Sequence, residues 1–237
     1  MYFPWIGMFE QIRLCDKFVY YDDVQFSKGS FTNRVQVKYQ NKEGFKWLTV
    51  PLKNLKLGLR INEVEVDYTK NWQNQHLELL RQSYQHAPFF NEMLEIVNSV
   101  FSEKYSSISQ LSQKSMEVVL EYYEIKPGKE FYVSSKLEIS GNSSQRVFDL
   151  VRYFGGKAYI TGHGAKNYLD HQLFEKHGIE IMYMDYRKTP YPQPGGSFDP
   201  YVSILDLIAN TGKEGKEFIT STTKKWKEFI DESKRTI

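Results

Sequence analysis

Apolar residues at Ile6, Phe9 and Ile12 recur about one helical turn apart and predict a helix over residues 6–15, followed by the unbroken apolar run Phe18-Val19-Tyr20-Tyr21. That run reads as a buried strand ending at Asp22-Asp23. In an α/β chain a helix feeding a buried strand normally follows a first strand. Only Met1-Tyr2-Phe3 stand ahead of this one, so the pattern expects a truncated or missing first strand. Val35, Val37 and Tyr39 alternate with Gln36 and Lys38, the turn-like Asn41-Lys42-Glu43-Gly44 follows, and residues 45–50 alternate again until Pro51. This is the pattern of a hairpin. Ile61, Val64 and Val66 predict a further short strand, and helical spacing over residues 71–84, 91–104 and 108–123 predicts a helical middle segment.

In the second half a helix over 144–154 leads through Gly155-Gly156 into a strand at 158–161. Gly162-His163-Gly164 then opens a helix over 165–176, and a strand at 179–184 follows. Strand, glycine loop, helix and strand make a βαβ unit, whose crossover is right-handed. The fold is therefore predicted as α/β: a mostly parallel sheet with βαβ units, an inserted β-hairpin and a helical middle segment. A Pro/Gly loop at 189–200 precedes a helix at 203–210 and a last amphipathic helix at 214–234. We expect one domain over 1–237, with a helical lobe at about 71–124 and a C-terminal helix at about 213–235.

Composition narrows the classes. Thirty-one Lys+Arg against 29 Asp+Glu leave a formal charge of +2, which argues against a nucleic-acid wrapper. Cys15 is the single cysteine, so neither an intramolecular disulfide nor a thiolate zinc site is expected. The opening residues lack the pattern of a signal peptide, and no run of about 18 apolar residues occurs, so a cytoplasmic location without a membrane span is expected. Aromatic content of 16 % suits pockets for small polar ligands and cores equally well.

The candidate chemistry begins where the first apolar run ends. Open parallel sheets place ligand groups beyond the carboxyl ends of their strands, and Asp22 and Asp23 stand there, as catalytic candidates or as a carboxylate-capped turn. Gln25, Ser27, Lys28, Asn33 and Arg34 follow within a dozen positions and offer donors for an anionic or sugar-like ligand, Arg34 with a planar fork. Gly162, His163, Gly164 and Lys166 lie between strand and helix, where an anion fits, although a tight turn also needs glycine. Tyr191 and Gln193 on the Pro/Gly loop are positioned to wall a pocket, and Asp206 can complement a helix dipole. Residues 140–146 read as a helix cap. The five histidines show no metal-ligand spacing, and no nucleophile elbow is present, so no metal site and no covalent nucleophile are assigned and any cofactor stays open.

Tyr2-Phe3-Pro4-Trp5-Ile6-Gly7, Tyr20-Tyr21-Asp22-Asp23-Val24-Gln25-Phe26-Ser27-Lys28 with Asn33-Arg34, Trp47-Leu48-Thr49-Val50-Pro51, Tyr191-Pro192-Gln193 and Ser203-Ile204-Leu205-Asp206 together resemble the WbqC-like protein family. The resemblance extends from residue 2 to about 212. It implies an enzyme of bacterial surface-polysaccharide (O-antigen) biosynthesis that transfers glycine, or another small acyl or aminoacyl group, to a nucleotide-linked amino sugar. Such proteins usually open with an apolar strand and a Gln-Pro, which this chain lacks. On that reading the partners are small molecules, a nucleotide-linked sugar and an acyl donor. The alternatives are a non-catalytic sugar-nucleotide-binding module, or an ATP-dependent nucleotidyltransferase-like or ligase-like enzyme. The latter resembles enzymes that carry an HxGH-type motif, where this chain has Trp5-Ile6-Gly7-Met8.

Overall fold

The structure, a computed structural model, describes residues 1–40, 42–126 and 128–235. Helix α1 (Ile6–Leu14) buries Ile6, Phe9 and Ile12 on one face and gives way to strand β1 (Lys17–Tyr20). The hairpin pairs β2 (Arg34–Lys38) with β3 (Phe45–Thr49), placing Gln36 opposite Trp47. Asn41 of the expected turn lies outside the described residues. The short strand expected at Ile61, Val64 and Val66 does not form: Ile61–Glu63 is a 3-10 turn, capped by the Glu63 carboxylate, which accepts the Arg60 backbone N–H (2.8 Å), and Glu65 and Val66 make only isolated bridges, to Ser107 and Leu52. The helical middle follows as α2 (Trp72–Tyr84), α3 (Phe90–Phe101) and α4 (Ile108–Tyr122), the last capped by the Ser107 hydroxyl.

Strand β4 (Glu130–Val133) pairs in parallel with β1. After α5 (Ser143–Tyr153) come β5 (Ala158–Thr161), α6 (His171–Lys176) and β6 (Glu180–Asp185), with β5 and β6 parallel. Helix α7 (Ile204–Thr211), strand β7 (Thr222–Lys225) and helix α8 (Trp226–Arg235) complete the order. The fold is mixed α/β, with three small sheets among the described residues, β1–β4, β2–β3 and β5–β6–β7. Parallel and antiparallel pairs are equally represented, so the expected mostly parallel sheet is not what forms. The helix expected from residue 165 begins only at His171, where the Asp170 carboxylate accepts from the Gln172 and Leu173 amides; His163–Asn167 is a 3-10 turn. The single terminal helix expected over 214–234 is broken. Thr222-Thr223-Lys224-Lys225, which opens on two β-branched side chains, takes extended backbone and pairs antiparallel with the edge of β6.

Met1-Tyr2-Phe3 makes no strand; Phe3 takes φ +38°. This segment is a crossing point. The Phe3 amide donates to Ser115 Oγ of α4 (2.9 Å), Tyr2 Oη meets His76 Nδ1 of α2 (3.1 Å), and the Phe3 and Pro4 carbonyls accept from Ser203 Oγ (2.8 Å) and the Ile204 amide (2.9 Å) at the start of α7. Burial pushes the His76 imidazole down to about 4. The larger apolar core gathers around this crossing, with Trp72, Tyr84, Leu120 and Leu207. A smaller one, around Phe148, Phe174, Ile181 and Tyr183, fills the β5–β6 layer.

Asp206, in the first turn of α7, is wholly buried, and neither carboxylate oxygen has a partner at full hydrogen-bond geometry. Burial pushes its pKa up to about 6, while the nearby Tyr84 and Tyr191 hydroxyls, Gln193 and the Lys38 ammonium offset part of that shift. Between the ordinary value of 3.8 and about 6 the folded chain therefore holds a proton that the unfolded chain has released, so stability falls as pH rises across that window and is level above it. Asp206→Asn should remove this slope. In urea titrations the difference between wild type and variant should change by about 2 kcal/mol from pH 4 to pH 7. Parallel pH profiles would exclude the raised pKa.

Candidate functional site

Where β1 ends, the chain turns and buries Asp22, whose two carboxylate oxygens are tied on three sides. Oδ1 accepts the Ser135 backbone N–H (3.0 Å), and Oδ2 accepts the hydroxyls of Ser135 (3.0 Å) and of Ser109 on α4 (3.1 Å). Gln113 Nε2 donates to Ser109 Oγ (2.8 Å), which directs the Ser109 proton onto Asp22. Ser134 has one hydroxyl proton. Its Oγ lies 2.6 Å from Asp23 Oδ1 and 3.3 Å from Asp22 Oδ1, so Asp23 takes the larger share of that proton, while Ser134 Oγ accepts the Asp22 amide (3.1 Å). The paired strands β1 and β4 deliver Asp22 and Ser134 to the same end of their sheet. Parallel pairing with right-handed twist makes that end a place where backbone and side-chain groups converge.

Asp23 points the other way, into an ion pair with Arg146 in the first turn of α5. The two side chains are 10 % and 8 % exposed, so the pair is shielded from salt yet reachable at its edge. Burial raises the Asp23 pKa, but the Arg146 guanidinium and the Ser134 hydroxyl outweigh it and hold the carboxyl below the ordinary value. Arg146 Nε donates to the Ile139 carbonyl (3.1 Å), and its guanidinium lies 5.1 Å from the centre of the Tyr21 ring. The Ser144 hydroxyl, also in α5, donates to the Tyr168 carbonyl (2.9 Å) and accepts the Asp170 amide (2.8 Å), tying the segment after β5 onto the same helix terminus.

A cavity of about 810 Å³ adjoins this cluster. Its walls are β1 with Tyr21 and Asp22, β5 with Tyr159 and Ile160, Met8 and Gln11 of α1, Ser109 and Met116 of α4, and Val147 and Leu150 of α5. Each wall strand is the outer strand of its own sheet, and Gln11 Nε2 donates to the exposed edge carbonyl of Ile160 (3.0 Å). Asp22 thus lines the cavity, as does the strand leading to the glycine turn. The remaining residues singled out in the sequence do not line it. Gln25 bridges to Arg60 and is exposed, Ser27 and Lys28 sit in an exposed turn, Asn33 Nδ2 donates to the Val50 carbonyl (2.9 Å), and Arg34 lies over Trp47. In the glycine turn, His163 Nε2 donates to the Met184 carbonyl (2.7 Å) and its ring packs on Tyr186 and Phe229, while Gly164 and Lys166 are exposed. Gly162 lies against the Tyr186 hydroxyl, 3.3 Å from where a Cβ would stand.

Tyr191 and Gln193 belong to a different place. Gln193 Nε2 donates to Tyr191 Oη (3.0 Å) and the Asp199 carbonyl (3.0 Å), and its Oε1 accepts the Asp199 amide (2.8 Å), closing the Pro/Gly loop beside Asp206. The loop lies so close to the hairpin that a Cβ on Gly195 would stand 2.1 Å from the Tyr39 carbonyl oxygen. Among the described residues no group of three or more His, Cys, Asp or Glu side chains is placed to hold a metal ion, and no helix is long and apolar enough to cross a membrane.

The profile of the WbqC-like protein family matches residues 1–218, across all the elements that build this cluster. The chain belongs to the WbqC-like protein family. It is similar to "Uncharacterized protein Rv1507c" of Mycobacterium tuberculosis (strain ATCC 25618 / H37Rv), at 29 % identity over 221 residues, covering 92 % of this chain and 94 % of that protein. No solved structure matches.

Four side chains at the heart of this WbqC-like cluster, Ser109, Ser134, Ser135 and Arg146, carry no sequence signal of function. Arg146 looks like an ordinary residue of a helix start, and the serines look like polar positions in helix and loop. Their partners lie 87 to 123 residues away along the chain. Asp22→Asn would set an amide N–H₂ against the donors of Ser109 or Ser135, and we expect it to cost about 2–3 kcal/mol, against roughly 1 kcal/mol for Ser109→Ala. Urea denaturation of both variants checks this, and two losses of equal size would rule out the cage.

Proposed function

We propose that this WbqC-like protein transfers a small acyl or aminoacyl group, glycine in the simplest case, to the amine of a nucleotide-linked sugar, and that it acts in the cytoplasm in building a bacterial surface polysaccharide. The observation that carries the reading is the shielded Asp23–Arg146 pair beside Tyr21, where β1 ends next to a cavity large enough for a small polar organic molecule. Asp22 already accepts from the Ser109 and Ser135 hydroxyls and the Ser135 amide, so its part is to fix the turn. Asp23 has one bonded partner on each oxygen, which leaves each a further lone pair.

In this scheme the sugar lies in the cavity end lined by Tyr21, Asp22 and Tyr159. Arg146 holds an anionic group of the substrate by the part of its guanidinium that Asp23 does not use, and Lys166 and the Gly162–His163–Gly164 turn lie on the substrate's outer side. The amine nitrogen attacks the activated carbonyl of the donor. As the N–C bond forms, its proton passes to Asp23. When the tetrahedral centre collapses, the bond to the donor's leaving group breaks and that group takes the proton. Asp23 ends ionised as it began.

The same ion pair favours a second reading, a binding module without chemistry, because it keeps Asp23 occupied by Arg146. One experiment separates the two. The protein is incubated with a nucleotide-linked amino sugar and an activated glycine ester, product is followed by mass spectrometry, and sugar-nucleotide affinity by calorimetry. Transfer predicts an amide product from wild type, a loss of roughly a hundredfold in rate for Asp23→Asn with affinity little changed, and a loss of affinity for Arg146→Ala. Binding without product supports the module. Equal product from wild type and Asp23→Asn contradicts the assigned role of Asp23.

A further inference from the structure

The polar segment after β1 does not spend its cations at the cavity. It builds a second surface on the hairpin. Phe31 and Phe45 are 45 % and 41 % exposed and flank Trp47, at ring-centre distances of 5.8 and 5.7 Å. The Arg34 guanidinium lies 4.2 Å from the centre of the Trp47 ring and donates to the Gly29 carbonyl, which fixes the turn that carries Lys28. Arg34 Nε is buried without a partner. Among the described residues neither Arg34 nor Lys28 meets a carboxylate at salt-bridge distance.

We infer that this face binds an anionic saccharide chain, with sugar C–H faces on Phe31, Trp47 and Phe45 and a carboxylate of the chain on Arg34 and Lys28. Three features select that ligand. The rings are apolar surface left in water, which burial under a ligand stabilises. The two cations lack acidic partners of their own, so a negative ligand complements them and an uncharged one does not. The rings are tilted, by 41° between Phe31 and Trp47 and by 87° between Phe45 and Trp47. Successive bases of a single-stranded nucleic acid stack best on faces that follow one another in parallel. A pyranose chair presents C–H bonds in several directions and accommodates tilted faces. The inference uses no residue of the Asp23–Arg146 cluster and stands independently of the transfer reading.

The test is calorimetric titration of the whole protein with a mannuronate hexamer, with maltohexaose and oligo(dT) as comparison ligands and sedimentation to follow self-association. Saturable binding of the mannuronate hexamer is expected, at least roughly tenfold tighter than maltohexaose, with Phe31→Ala and Arg34→Gln each weakening it roughly fivefold. Phe31 is exposed, so Phe31→Ala should keep the wild-type melting temperature, and Phe45→Ala gives an independent ring deletion. No saturable binding, equal affinity for maltohexaose, tighter binding of oligo(dT), an unchanged affinity in both ring variants, or self-association abolished by Phe31→Ala would each overturn the inference.

Discussion

The arrangement of the candidate site depends on one buried carboxylate. Asp22 enters an interior where an unsatisfied charge costs several kcal/mol, and it is accommodated because α4, the end of β4 and the following turn each bring a donor to it. The same bonds fix three stretches of chain that share no local sequence relation. Because Asp22 is held inward, the next residue, Asp23, is turned toward α5, and the Arg146 pair follows from that direction. A charged turn that would otherwise face solvent is thereby made rigid.

Two polar systems partition the molecule. At one, the Asp22 cage and the Asp23–Arg146 pair sit beside the cavity between the β1–β4 and β5–β6–β7 sheets. At the other, Asp206 is sealed among Tyr84, Tyr191, Gln193 and Lys38, where α7 meets the hairpin and the Pro/Gly loop. The first keeps an ionised carboxylate reachable at its edge. The second leaves a carboxylate without full partners and raises its pKa instead. Burial is common to both, and the difference lies in how many donors the surrounding chain provides.

Local periodicity made much of the fold legible. The 3.6-residue spacing of Ile6, Phe9 and Ile12 and the alternation around Val35 and Val37 are properties of single elements, and α1 and the hairpin form where those patterns stand. Strand β4 was invisible for the opposite reason. Phe131-Tyr132-Val133 is too short a run to signal a strand, and it becomes one by pairing with β1, 113 residues earlier in the chain. The terminal segment misleads in a third way. Its charged residues suggest a continuous helical face, but Thr222-Thr223-Lys224-Lys225 meets an open edge of β6 and extends. For the site, Asp22 and Asp23 stood out by their place at a strand end. The serines and Arg146 that define what those carboxylates do are long-range partners, which no local pattern encodes. Tyr191 and Gln193 stood out in the sequence as a pocket wall on a stiff Pro/Gly loop, and they lie with Asp206.

The central claim is that the Asp23–Arg146 pair meets the substrate. A crystal structure of the protein with a nucleotide-linked amino sugar tests it most directly. The account predicts the sugar amine within hydrogen-bond reach of the Asp23 carboxylate and an anionic group of the nucleotide on the Arg146 guanidinium. A ligand bound elsewhere on the molecule, with the Asp23–Arg146 pair untouched, would contradict it.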